Sequence, residues 1–325
     1  MRTRVWRVAS LFSGCGGMDL GCQGGFDFLG RTYPRLATRL VYSMDFDASP
    51  CAIHDANFAS RSDNRDIRTL SADDVPQHDI LTGGFPCQPF SIVAQNPPRL
   101  GQQDERGLLY SEMSRILAAK QPEAFVAENV KGLLSADGGR AFPTIVGDFT
   151  RAGYAVTSRL LNAADYGIPQ RRERVFIVGF RDEGRLKRFK FAGKVPGGPV
   201  SLSSVLLPHA DVEERFFFSE RAVQGMRATR MSELMNKGRA QNVDEPCNTV
   251  GAHLAKVSLN STDPVLVVDG RYRMFTPREV ARIQSFPDSY VLPGPKTALY
   301  RSLGNAVPPV LMWRVMREVI AALKD

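Results

Sequence analysis

Cys87 stands between two prolines in the run Gly84-Phe85-Pro86-Cys87-Gln88-Pro89-Phe90-Ser91. Pro86 sets its own backbone and biases Phe85 away from helix, and Pro89 does the same to Gln88, so the sulfur is aimed from a stiff, irregular loop. A thiol held in that way suits nucleophilic chemistry, because the thiolate is both a strong nucleophile and a competent leaving group. An isolated cysteine is more often a small buried apolar residue. The flanking prolines reverse that reading for Cys87, whereas Cys15, Cys22, Cys51 and Cys247 keep it.

A second cluster, Phe12-Ser13-Gly14-Cys15-Gly16-Gly17, follows an apolar run and precedes a helical pattern. Glycines there let backbone approach a ligand closely and aim helix N–H groups at an anionic group. A dinucleotide fingerprint of the nicotinamide type would need a third glycine where Asp19 stands, and its acidic partner earlier than Asp45. Asp45 still suits ribose hydroxyls, since a carboxylate accepts from two donors. Asp66, followed by Ile67, sits where a neighbouring strand should end. The plainer alternative is a tight glycine turn with helix-capping aspartates.

The elements that position these groups alternate. Val5 to Phe12, Arg39 to Met44, Asp79 to Thr82, Ala124 to Ala127, Ala155 to Leu161 and Arg174 to Phe180 read as strands. Helical patterns fall near Met18 and over Ala48 to Asn57, Leu109 to Ala119 and Phe142 to Arg151. Such alternation predicts an α/β fold with a doubly wound, mostly parallel sheet, whose ligands gather at the carboxyl ends of the strands. Ser13-Gly14, Asp45, Cys87 and Glu128 all follow strands and would meet there. From about Arg181 to Tyr272 the alternation dissolves, which predicts a second, smaller, irregular domain, with Gly193 to Pro199 as the linker. The expected division is 1–201, completed by 304–325, then 202–275, then a hinge at 276–303. Thr276-Pro277-Arg278-Glu279 reads as a helix start with a capping box. Met312, Val315, Met316, Val319, Ile320 and Leu323 form an apolar helical stripe that would return to the first sheet.

The chain has 325 residues, 43% of them hydrophobic and 23% charged, as in an ordinary soluble globular protein. Its net charge of +8 points to a polyanionic partner. Residues 181–273 hold 15 basic and 11 acidic side chains, half of that excess. Arg185, Lys187, Arg188, Lys190 and Lys194 form one basic group, and Arg221, Arg227, Arg230, Lys237 and Arg239 another. Five scattered cysteines without a Cys-x-x-Cys pair, and only four histidines, argue against a disulfide framework or a metal site. No run approaches the roughly 20 apolar residues of a membrane span, and Met1 to Arg7 lacks a signal-peptide core, so a cytoplasmic location is expected.

Taken in order, these motifs resemble those of the bacterial cytosine-C5 DNA methyltransferases, a family that uses S-adenosylmethionine. Leu11 to Gly17 is similar to the first cofactor motif, Gly84 to Ser91 to the nucleophile motif, and Glu128-Asn129-Val130 to the acidic motif. Tyr166-Gly167-Ile168-Pro169-Gln170-Arg171-Arg172-Glu173-Arg174 resembles the arginine motif. Arg278 to Gln284 with Phe286-Pro287-Asp288, and Gly304 to Pro308, resemble the last two. The resemblance implies a class I, Rossmann-like methyltransferase fold with a small target-recognition domain, and methyl transfer to C5 of a flipped-out cytosine in a specific duplex sequence. It implies Cys87 as nucleophile, Glu128 as the acid at the ring N3, Arg174 on the cytosine O2, and Arg172 on the flipped nucleotide and its phosphates. Phe12, Ser13, Gly14, Cys15, Gly17, Asp45, Phe46, Asp66, Ile67, Pro86, Leu109, Asn305 and Ala306 would form the cofactor pocket. Ser10 stands where many relatives carry aspartate, and Asp45 where glutamate is frequent.

The loop Ile92 to Arg106 is expected to close over double-stranded DNA, and Asn248-Thr249-Val250 with Gly251 to belong to the recognition region. A restriction-modification methylase acting as a monomer is expected, while a companion restriction endonuclease stays open. The rival readings are a tRNA cytosine-C5 methyltransferase and a catalytically silent DNA-binding relative.

Overall fold

The structure, a computed structural model, describes residues 4–86, 109–228, 240–254 and 263–324, with backbone alone for 226–228. The first half of the chain runs through β1 (Trp6–Leu11), the hairpin β2 (Phe26–Phe28) and β3 (Arg31–Tyr33), then β4 (Thr38–Met44), β5 (Ile80–Gly83) and β6 (Ala124–Val130). β7 (Ala155–Asn162), β8 (Gln170–Arg171) and β9 (Glu173–Phe180) follow. Helices α1 (Gly17–Gln23), α2 (Ala48–Asp55), α3 (Leu109–Lys120) and α4 (Ala141–Arg151) lie between the strands as the periodicity predicts.

One sheet of six strands, in the order β4-β1-β5-β6-β9-β7, forms the centre. β4, β1, β5 and β6 are parallel, whereas β9 runs antiparallel to both of its neighbours. The reversal has a simple cause. Between Asn162 and Glu173 the chain holds a short 3-10 turn and β8 but no α-helix, so it lacks the crossover that a parallel return to the sheet requires.

Period-two alternation divides the sheet's side chains between two cores. Val8, Ile80, Ala124, Val126, Phe176 and Val178 face one of them, together with the C-terminal helix Pro309–Leu323. Ala9, Leu11, Leu81, Phe125, Ala127, Val175 and Ile177 face the other, against Met113, Ile116 and Leu117 of α3 and Ile145 and Phe149 of α4. A strand covered on both faces has no polar side, which is why these segments read as continuous apolar runs.

Beyond β9 the elements are short, as expected: a helix Glu183–Arg188, several 3-10 turns, a helix Glu220–Ala228, β10 (Cys247–Asn248) and the hairpin of β11 (Leu266–Val268) with β12 (Arg271–Arg273). The helix Pro277–Ile283 starts at the predicted capping box, with Thr276 Oγ1 accepting from the Glu279 amide and the Glu279 carboxylate accepting from the Thr276 amide. That carboxylate also takes both arms of Arg273, at 2.7 and 2.8 Å, in a wholly buried ion pair that the sequence did not betray. The helix Lys296–Asn305 and the helix Pro309–Leu323 complete the chain, the last packing against α1. Among the described residues no helix is long and apolar enough to cross a membrane.

Candidate active site

Glu128 lies near the carboxyl end of β6 and is buried. In the antiparallel register Val130 faces Arg174, so Arg174 is the diagonal neighbour of Glu128 on the same face of the sheet. Its Nε reaches the Glu128 carboxylate at 3.1 Å, and its Nη1 donates to the Glu173 carbonyl at 2.7 Å. Burial raises the Glu128 pKa above its ordinary value, against the opposing pull of Arg174 and Arg172. A carboxyl held in this balance keeps its proton to higher pH than a solvated one, as a general acid must.

Chain leading towards Cys87 converges on the same place. Phe85 is buried just beyond β5, and its carbonyl accepts from the Asn129 side chain at 3.1 Å. A methyl group added at Gly84 would sit 3.5 Å from the Glu128 carboxylate. Cys87 itself and the loop Ile92 to Arg106 lie outside the described residues. The other four cysteines are buried and free, and burial pushes the Cys15 thiol up to about 12 and the Cys51 thiol up to about 11.

At the ends of β1 and β4 the strands are laced together. Ser13 donates its amide to the Met44 carbonyl, and its Oγ accepts from the Met44 amide at 3.1 Å. Asp45 accepts from the Gly14 amide at 2.8 Å and the Asp47 amide at 2.9 Å, which leaves carboxylate lone pairs for two further donors. Gly14 has φ +55°, and nothing lies within 4 Å of where its Cβ would stand. Phe12 also has positive φ, an uncommon conformation for a bulky residue. Phe46, 74% exposed, offers a bare aromatic face beside Asp45. An open cradle at Gly14, a carboxylate with spare acceptor capacity and an exposed ring fit a nucleoside such as that of S-adenosylmethionine.

The remaining predicted pocket residues are placed less uniformly. Cys15 turns its thiol inward to the Ser302 carbonyl at 3.5 Å, and its own carbonyl accepts from the Tyr290 hydroxyl. Gly17 is required by packing, since a methyl there would collide with the Val307 carbonyl. Asp66 caps the turn Ile67–Thr69 and is gripped by Arg68, which holds its pKa below the usual value, while the Ile67 side chain is buried. Pro86 and Leu109 are half-buried on either side of residues 87–108, which lie outside the described residues. Asn305 is exposed at the end of its helix and Ala306 is nearly covered. Beneath the glycine turn, sequence reading missed a wholly buried pair, His54 Nε2 to Asp19 at 3.3 Å, with His54 stacked on Phe58.

Arg172 departs from the expectation of a contact to the flipped nucleotide. Its guanidinium is buried and donates to the carbonyls of Val250, Gly304 and Ala306 at 3.0–3.1 Å, so here it clamps protein backbone. Arg171 beside it donates to the Pro246 carbonyl and pairs with Glu245.

The profile of the C-5 cytosine-specific DNA methylases matches residues 6–321. The chain belongs to that family. Among curated relatives, the methylase is similar to the Type II methyltransferase M.NlaX of Neisseria lactamica, 33% identical with 98% of this chain and 97% of that one covered. It is similar also to the Type II methyltransferase M.HaeII of Haemophilus aegyptius, 32% identical with 98% and 94% covered. Among solved structures it shares its fold with the methyltransferase EhMeth of Entamoeba histolytica, at a TM-score of 0.76, 16% identity and 100% coverage of both chains. A DNMT2 mutant of Spodoptera frugiperda superposes with a TM-score of 0.74 at 20% identity, covering 97% of the methylase and 99% of that chain.

Proposed function

We propose that this DNA (cytosine-5-)-methyltransferase moves a methyl group from S-adenosylmethionine to C5 of a cytosine flipped out of a specific duplex sequence. The Cys87 thiolate adds to C6 of the ring, Glu128 protonates N3 as electron density arrives there, and the resulting enamine makes C5 nucleophilic. Arg174 holds the acid and the cytosine O2 in one plane. The bound cofactor supplies the electrophilic methyl carbon. Water takes the C5 proton, the Cys87 thiolate leaves C6, and N3 returns its proton to Glu128, which restores the aromatic ring and both side chains. A base inside the duplex cannot offer C6 to a sulfur and C5 to a methyl from opposite faces, so flipping is needed, at a cost of a few kcal/mol. The observation that carries this reading is the Arg174–Glu128 pair set against the strand end from which the chain runs on to Cys87.

The same reading assigns 1–201 with 304–325 to catalysis and cofactor binding, 202–275 to target recognition and 276–303 to the hinge. The net charge of +8 supports a polyanionic substrate, and the Type II relatives favour a restriction-modification methylase; the same reading takes it as a cytoplasmic monomer on double-stranded DNA. Methyl transfer from labelled S-adenosylmethionine to mixed-sequence DNA and to tRNA, by the intact protein and by Cys87→Ser, tests it. Label on DNA that the substitution abolishes is expected. Label on RNA alone, or undiminished transfer by the variant, would overturn the proposal. Bisulfite sequencing of the product then identifies the methylated site.

A further inference from the structure

Two glutamines that the catalytic reading does not use, Gln170 and Gln284, are wholly buried and bonded to each other. Gln170 Nε2 donates to Gln284 Oε1 at 2.8 Å and to the Ile283 carbonyl at 3.3 Å, while its Oε1 accepts from the Val250 amide at 3.0 Å. Gln284 Nε2 donates to the Leu303 carbonyl at 2.6 Å and the Ala306 carbonyl at 3.5 Å. Val250 is thereby gripped at both ends, its amide by Gln170 and its carbonyl by Arg172. The surrounding segment is laid along the arginine motif. β10 pairs in parallel with β8, the Cys247 amide reaches the Pro169 carbonyl, and Thr249 Oγ1 donates to the Arg171 carbonyl at 2.7 Å.

The glutamine pair therefore spans three separate stretches of chain. On one side lies Cys247 to Gly251, assigned above to recognition. On the other lies Leu303 to Ala306, the helix end that holds the expected pocket residues Asn305 and Ala306. Between them lies β8, which holds Gln170 and leads into β9 and Arg174. A buried amide left without its partner is costly, so displacement of either flank is transmitted to the other rather than absorbed locally.

We infer that Gln170 and Gln284 are positioning residues that couple the cofactor pocket to the DNA-recognition segment, so that occupancy of one tightens the other. The inference rests on the proposed assignment of those two segments. Coupling between two binding sites is reciprocal and is measured as the ratio of DNA affinities with and without cofactor, commonly 5–150-fold. The test measures dissociation constants for cognate duplex DNA with and without S-adenosylhomocysteine, in the intact protein and in Gln170→Met, Gln284→Met and the double variant. These substitutions keep length and remove the amide.

In the intact protein the product cofactor is expected to tighten DNA at least about 5-fold. In each variant the ratio should fall toward one while DNA affinity without cofactor changes less than about threefold, and the double variant should lose no more than either single. Thr249→Val, an isosteric change at an exposed position, gives a reading if a glutamine variant fails to fold, and it too should lower the ratio. A ratio unchanged in the folded variants, a ratio unchanged in Thr249→Val, or no coupling in the intact protein would each overturn the inference. Methyl transfer by the intact preparation is measured alongside. Its absence would count against the proposed function, whereas its presence with unaltered coupling in the variants would count against this inference alone.

Discussion

Glu128 is poised between opposing influences. Burial raises its pKa, and the cations of Arg174 and Arg172 pull it back. The net direction is upward, so the proton is retained above the usual carboxylate range, and a rate that needs the neutral acid declines as pH rises through that raised value. Glu128→Gln should reduce the single-turnover methylation rate about 10²–10⁴-fold, the usual contribution of a general acid. Arg174→Leu removes a cation that lowers the Glu128 pKa, so the alkaline limb of the pH–rate profile should move to higher pH even as the rate drops. A limb that stays in place or moves down would mean that Arg174 does not set the protonation of Glu128. The candidate residues were readable, because a thiol between prolines and an acid at a strand end are local patterns. That Arg172 serves backbone carbonyls was not, since its three acceptors lie 78 to 134 residues away in sequence.

At the level of elements, the direction of β9 decides whether acid and arginine meet. A parallel strand in that position would begin at the opposite end of the sheet and carry Arg174 away from Glu128. The clue in the sequence was an absence, the lack of a helical pattern between Asn162 and Glu173, which is harder to read than a positive motif. The capping box at Thr276 was legible because it depends only on residues three apart. Gly304 shows the converse. A methyl added there would collide with the Gly251 carbonyl, so the helix Lys296–Asn305 can approach the segment after β10 only if that position stays bare. Gly304→Ala should destabilise the protein by about 1–3 kcal/mol, as overpacking does, and should weaken cofactor binding. Thermal denaturation and titration with S-adenosylhomocysteine check both, and a stable variant with normal affinity would show that the contact yields easily.

Over the whole molecule the end of the chain completes its beginning. The helix Pro309–Leu323 buries most of its length against α1, and Trp313 Nε1 reaches the Pro34 carbonyl at 2.9 Å. Since α1 follows the glycine turn, the proposed cofactor site should depend on the helix Pro309–Leu323 that packs on it. A chain ending at Pro308 should therefore fail to bind S-adenosylhomocysteine and should lose cooperative unfolding, measured by calorimetry with and without ligand. Retention of a cooperative, ligand-responsive transition would show that the sheet and α1 suffice.

The sequence by itself determined the six strands of the central sheet, most of the helices, the motif order and hence the family, because each rests on local spacing or on alternation that burial imposes; the short strands of the three small sheets left no such mark. Tertiary structure alone decided which carboxylate meets which arginine, where Arg172 spends its donors, and how Gln170 and Gln284 tie three distant stretches together. Those pairings join residues far apart in the chain, and their geometry follows from strand direction and from the close approach of backbones, neither of which leaves a periodic mark on the residues involved.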